Sequence, residues 1–255
     1  MLLGRDARPA EATERAEGVE RIRAALSAYE ITLGPVALWP GLPADRLARQ
    51  VGHGWITYQH ARYPQLVDLL PPLLADAQRT HARDPAAGRE PLVEAYRITA
   101  ALLVQAALAA ARQGDEASAT ELLGEAAAMA DRVGEGHDHH RTGFGPATVG
   151  SARVAAAVEL GAARAAVTWH ERTTRRDAWR WLPAEHRAAH LLDAARAYLQ
   201  ADDPASAGRA LVDADRTAPA EVRHRPAARS VLAQVVRDPH APATIVQLAL
   251  ALGVT

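Results

Sequence analysis

The spacing of apolar residues constrains this chain more than any other feature. Apolar side chains recur every three or four residues almost throughout, whereas the period-two alternation of a half-buried strand is nearly absent. Val19, Ile22, Leu26 and Tyr29, for example, fall on one helical face. The pattern predicts an all-α protein made of consecutive amphipathic helices.

From Glu90 onward, Ala-rich helical stretches are separated by short turn signals. Two of the turns contain Gly114 or Gly161, and a third is Ala201–Pro204. Glycine suits the left-handed end of a helix, aspartate caps the next helix, and proline suits a first helical turn. The turns lie further apart than the ~34 residues of a standard tetratricopeptide repeat. We therefore predict antiparallel helical hairpins with long helices or inserted loops, stacked as a tetratricopeptide-like right-handed solenoid.

Two kinds of interruption break this pattern. Pro71-Pro72 lies inside a leucine-rich helical stretch and is expected to kink or split that helix. Residues 33–43, 133–146 and 173–183 lack helical spacing, and loops of that length are uncommon unless they carry function. The expected organisation is a flexible N-terminal segment over 1–16, a helical-repeat domain over 17–240, and a C-terminal helix or tail over 241–255.

Composition excludes several classes of function. The chain has no cysteine, which removes disulfides, thiolate zinc sites and a cysteine nucleophile. All 29 residues counted as Lys or Arg are Arg, yet the net charge is −1, so the whole chain has no attraction to a phosphate backbone. No run reaches the ~18 uninterrupted apolar residues of a membrane span. We expect a cytoplasmic protein without a membrane segment or a cofactor.

Histidines form the first candidate cluster. His137-Asp138-His139-His140 offers imidazole and carboxylate ligands for a metal. Adjacent residues cannot all point inward, and a histidine-rich tract is only a compositional signal, so we expect no metal. His140 is the histidine expected to face a pocket, together with Phe144 in the glycine-rich loop.

A second cluster combines Glu185, His186 and His190. Residues 186 and 190 are four apart and share a helical face, which suits a metal site or an acid–base pair. The H-E-x-x-H order of metalloproteases is absent. His190 stands beside Leu191 and Leu192, and this setting is more typical of a histidine that completes a hydrogen bond in the core.

The segment 169–181 interleaves tryptophan with arginine. Such a mixture can stack bases or hold an anionic aromatic ligand, although a solvated linker whose tryptophans pack onto neighbouring helices explains it as well. Acidic neighbours of these arginines and the nearly neutral net charge of the whole chain favour a small ligand over a nucleic-acid strand.

Three runs resemble a family of actinobacterial regulators that carry an N-terminal helix-turn-helix of the XRE type and a C-terminal tetratricopeptide-like sensor region. These runs are His140–Val149, Leu182–Tyr198 and Ala218–Arg229. The resemblance implies a ligand-sensing region. The Thr-Asn pair that usually precedes valine in the family is Ala147-Thr148 here, so any ligand contact of that asparagine is lost. No helix-turn-helix precedes Gly18, so we expect no direct DNA binding by this chain.

The first hypothesis is a non-catalytic sensor that holds a small molecule or a peptide in a concave groove, with a homodimer possible. The expected ligand-binding residues are Trp55, Tyr58, Tyr63, Tyr96, His140, Phe144, Trp179, Trp181, Arg187 as a charge partner, and His190. The first alternative is a cofactor-independent enzyme of natural-product biosynthesis, a cyclase or isomerase, with His140, His190 and Glu185 as acid–base groups. The second alternative is a protein-interaction scaffold.

Overall fold

The computed structural model describes Glu20 and residues 42–134, 144–238, 241 and 243–254. Within these residues the fold is all-helical, with one 3₁₀ turn at Asp177–Trp181. The eleven α-helices of the described part are α1 Ala44–Gln59, α2 Tyr63–Arg83, α3 Pro85–Arg112, α4 Glu116–Val133, α5 Pro146–Glu159, α6 Ala163–Thr174, α7 Ala184–Gln200, α8 Pro204–Thr217, α9 Pro219–Arg223, α10 Pro226–Val235 and α11 Ala243–Ala251.

The chain divides into two compact units, residues 1–103 and 104–255. The helical-repeat domain expected over 17–240 therefore spans both. In the first unit, α1 packs against α2, and the described core is formed mainly by leucines of these two helices together with Trp55 and Ile98. Gly54 allows α1 to approach closely, because a Cβ there would lie 3.1 Å from the Cδ1 atom of Ile98.

In the second unit, helices that follow one another in sequence pack together. Helix α5 contacts α4, α6 and α7, and α7 contacts α8, α9 and α10. One core cluster lies among α7 to α11 and includes Leu192, Leu211, Leu232 and Ile245. A smaller cluster joins α5, α6 and α7.

The turn predictions are confirmed. Gly114 and Gly161 have φ of 79° and 71°, and Asp202 takes the same left-handed conformation with φ of 60°. The side chain of Asp115 accepts from the backbone N–H of Ser118, and that of Asp203 accepts from Ser206, so both aspartates cap the helix that follows.

The tandem prolines do not split their helix. Helix α2 runs without interruption from Tyr63 to Arg83, with Pro71 and Pro72 inside it. Leu70 and Leu73 flank the prolines and are buried. Burial of such a side chain contributes ~1.5–3 kcal/mol, so the leucines along this helix offset the ~3 kcal/mol typical of an internal proline.

Helix α3 is long and apolar enough to cross a membrane by length and composition, but 72 % of its most apolar window is buried inside the protein. Most of this window therefore lies in the core of the described part of the protein.

Candidate ligand-binding site

A pocket of about 480 Å³ opens in the second unit, where one face from each of three helices meets. Helix α5 contributes residues 146, 149, 150 and 153, which are spaced as one helical stripe. Helix α6 and the residues after it contribute 169, 172, 173 and 176 with the same spacing, and also Arg175. Ala127 and Asp131 of α4 complete the lining.

The pocket is built around Trp169. The guanidinium of Arg153 lies 4.3 Å from the centre of the indole ring, and that of Arg172 lies 5.3 Å from it. These are cation–π distances. A guanidinium stacked on an aromatic ring keeps its N–H edge available to a carboxylate or a phosphate.

The charge of the pocket is strongly positive. Arg153, Arg172 and Arg176 form no ion pair with any described residue, whereas Arg175 makes an exposed contact of 3.5 Å with Glu171. Burial lowers the pKa of Arg153, the charge of Asp131 raises it, and the charge of Arg176 lowers it further. Arginine nevertheless stays protonated in proteins, so Arg153 is a cation that is partly removed from water, whereas Arg172 and Arg176 are exposed.

A close helix contact forms the floor of the pocket. Thr173 of α6 is buried against Gly150 of α5, where a Cβ would lie 2.5 Å from the Oγ1 atom of Thr173 and 3.1 Å from its Cγ2 atom. Only glycine fits at this position without a shift of one helix. The close packing of α5 against α6 at this pocket therefore requires glycine at position 150.

Gly150→Ala is expected to lower the free energy of unfolding by about 1–3 kcal/mol, because the added methyl overpacks a buried contact. Gly124→Ala in α4 is the matched control, since nothing lies within 4 Å of a Cβ there. The free energy of unfolding of Gly124→Ala should rise by up to about 1 kcal/mol, because alanine has a higher helix propensity than glycine. Urea unfolding measures both, and Gly150→Ala combined with Thr173→Ala should recover most of the loss. Equal stability of the two single variants would contradict the close contact.

Three of the predicted aromatic residues of the first unit form their own cluster. The rings of Trp55 and Tyr58 meet edge to face at 5.8 Å, and those of Tyr58 and Tyr63 lie 6.0 Å apart. Trp55 is buried and donates its indole N–H to Glu94. Tyr96 is also buried. None of these four residues lines the pocket around Trp169, hereafter called the arginine pocket after its lining residues Arg153, Arg172, Arg175 and Arg176.

In the second unit, the structure brings His190 and Trp179 together. His190 is 2 % exposed, and its ring centre lies 4.7 Å from that of Trp179. Its Nε2 atom lies 2.8 Å from Nδ1 of His170, so one nitrogen donates its proton to the other. The edge of Tyr198 packs against His170. Burial lowers the pKa of His190 to about 3, and the charge of His170 lowers it as well.

The other predicted residues are scattered. Phe144 is buried just before α5, Trp181 is 83 % exposed on the 3₁₀ turn, and Glu185 is exposed in the first turn of α7. His140 and the cluster around it lie outside the described residues. Within the described part of the chain, no group of three or more His, Asp or Glu side chains could hold a metal ion.

Trp169, Arg172 and Arg176 lie in the tryptophan–arginine segment 169–181, but they are not among the expected ligand-binding residues. The helical spacing of Trp169, Arg172 and Arg176 was the signal that could have identified them. Arg153 and Asp131 come from other helices and carry no such signal. No family model matches the chain, and neither a curated protein nor a solved structure matches it.

Proposed function

We propose that this chain is a non-catalytic sensor module that binds a small planar anion in the arginine pocket. One observation carries the proposal: arginines from two helices converge on one tryptophan in a concave pocket, and three of them lack an ion-pair partner among the described residues. Arg153 is partly removed from water, and a charge in such a position is stabilised by a partner of opposite sign. An anionic ligand supplies that partner.

The side chains indicate what the ligand contains. Guanidinium groups bind carboxylates and phosphates through two parallel hydrogen bonds, and such charge-assisted bonds are stronger than neutral ones. The stacked Arg153–Trp169 pair adds a flat surface that favours an aromatic ring. An aromatic acid satisfies both features.

Size and charge favour a small molecule over a nucleic-acid strand. A volume of about 480 Å³ falls within the ~300–1,000 Å³ typical of small-molecule pockets. The net charge of the whole chain is −1, so the positive potential is local to the pocket.

The pocket also suits a sensor because three helices line it. A ligand that contacts α4, α5 and α6 at once favours one arrangement of these helices over others, and this difference is what shifts a conformational equilibrium. In this proposal the hairpins stack as a tetratricopeptide-like solenoid of a cytoplasmic regulator. The pairing of consecutive helices in the second unit supports this view.

Calorimetry with naphthoate tests the proposal, with uncharged naphthamide as a control of equal shape. The wild-type chain should bind naphthoate and bind naphthamide at least tenfold more weakly. Arg153→Gln and Arg176→Gln should each weaken naphthoate by about 10–100-fold, because one charge-assisted hydrogen bond contributes ~1.5–3 kcal/mol. Arg164→Gln is the matched control, since it removes one exposed charge from α6 outside the pocket.

Different results of these experiments would reject the anion pocket or the non-catalytic role. Equal affinity for naphthoate and naphthamide, or unchanged naphthoate affinity in both pocket variants, would reject the anion pocket. Chemical conversion of a bound acid, followed by mass spectrometry, would reject the non-catalytic part of the proposal.

A further inference from the structure

Helix α7 carries two buried nitrogen atoms that have no hydrogen-bond partner among the described residues. They are Nδ1 of His190 and Nε of Arg187. Buried polar groups in folded proteins are nearly always hydrogen-bonded, and each exception requires an explanation. Two exceptions lie within a single turn of one helix here.

The two side chains share a face of the helix. Residues three apart on an α-helix are neighbours whose Cβ atoms lie roughly 5–6 Å apart. His190 is 2 % exposed, and Arg187 is half-buried with no ion pair to any described residue. One small group between them can therefore contact both nitrogens.

The chemistry of the nitrogens indicates a hydrogen-bond acceptor. The Nε atom of Arg187 always carries a proton and can only donate. When Nδ1 of His170 donates to Nε2 of His190, the proton of the neutral His190 ring lies on Nδ1, which then donates as well. Two N–H donors beside a fixed positive charge match the two oxygens of a carboxylate.

We infer that Arg187 and His190 form a second ligand site in this unit, which binds the carboxylate group of a small organic acid. The site is separate from the arginine pocket, because neither residue lines that pocket. His170 connects the two regions, since it belongs to α6 beside Trp169 and contacts His190 through its ring. The inference does not depend on the ligand proposed for the arginine pocket.

Acetate is the probe, with acetamide as its uncharged control of the same shape. The full chain is labelled with ¹⁵N, and the ring nitrogens of His190 are followed by NMR during titration at neutral pH. We expect acetate to shift the Nδ1 signal of His190 in a saturable manner and acetamide to shift it far less. This comparison needs no variant, so it does not depend on how a substitution affects folding.

Variants then locate the site. Arg187→Met keeps a long side chain without the donors, and it should weaken the acetate response of His190 at least tenfold, which corresponds to about 1.4 kcal/mol. Arg164→Gln should leave the response unchanged, because this residue is exposed on α6 and lies outside both sites.

Three results would overturn the inference. The first is a ring signal of His190 that acetate does not move. The second is an acetate response that persists in folded Arg187→Met. The third is a crystal structure grown in acetate in which only an ordered water contacts the two nitrogens. Unchanged naphthoate affinity in both Arg153→Gln and Arg176→Gln would reject the arginine pocket and leave this site intact.

Discussion

Arg97→Met is expected to lower the free energy of unfolding by about 3–5 kcal/mol, because it removes the buried guanidinium that pairs with the carboxylate of Glu94. The side chains of Arg97 and Glu94 on α3 are only 5 % and 7 % exposed, and they meet at 2.7 Å. The other carboxylate oxygen of Glu94 accepts the indole N–H of Trp55 at 2.8 Å. Methionine fills similar space, so the expected loss comes from charge and not from a cavity.

A surface pair provides the matched control. Arg49 and Asp45 on α1 form an ion pair of similar length, 2.9 Å, but their side chains are 70 % and 68 % exposed. Arg49→Met should change stability by less than about 1 kcal/mol, since solvent screens exposed pairs. Urea unfolding followed by circular dichroism compares the two variants.

Removal of the buried negative charge as well should restore stability. Arg97→Met combined with Glu94→Gln keeps an acceptor for Trp55 and removes the buried negative charge. We expect this double variant to recover most of the loss, because a neutral replacement of a buried ion pair is often tolerated. A single variant no less stable than Arg49→Met, or a double variant no more stable than Arg97→Met, would show that the pair contributes little.

The helical fold could be predicted because its signals are local. Each signal at Gly114, Gly161 and Asp203-Pro204 lies within a few residues of the turn that it controls. The continuity of α2 through Pro71-Pro72 could not be predicted in the same way. It depends on burial of the flanking leucines, and the amount of burial is set by the tertiary structure.

The candidate site was predictable only in part. The segment around Trp169 combines arginine and tryptophan in one stretch of sequence, so its affinity for an anionic aromatic ligand could be proposed from composition. Arg153 reaches the same ring from α5, where its neighbours are alanine and valine. A partner from another helix leaves no local pattern, and the charge of the pocket therefore became evident only in three dimensions.

The environment of His190 could also be predicted only in part. Its leucine neighbours indicated a core position, but nothing in the sequence identified His170 as its hydrogen-bond partner. The imidazole of His190 is also almost completely buried. Because the imidazole is buried, the stability of the folded chain is expected to depend on pH.

Acidification should destabilise the chain through His190. Its pKa is about 3 in the folded state and 6.5 in the unfolded state. Between these values the unfolded chain binds a proton that the folded chain does not, so stability falls as pH decreases. The stabilising contribution is fully present above pH ~6.5 and is lost progressively toward pH ~3, at up to about 1.4 kcal/mol per pH unit. Across the whole window the loss is on the order of 4 kcal/mol.

His190→Gln isolates this contribution, because glutamine can retain a hydrogen bond to His170 but does not titrate. Carboxylates titrate in the same window, so the informative quantity is the difference in unfolding free energy between wild type and variant at each pH. That difference should favour wild type most at neutral pH and shrink or reverse toward pH ~4. His186→Gln, at an exposed position on the same helix, is the matched control. A difference independent of pH would mean that the imidazole of His190 reaches solvent and takes up its proton in the folded state.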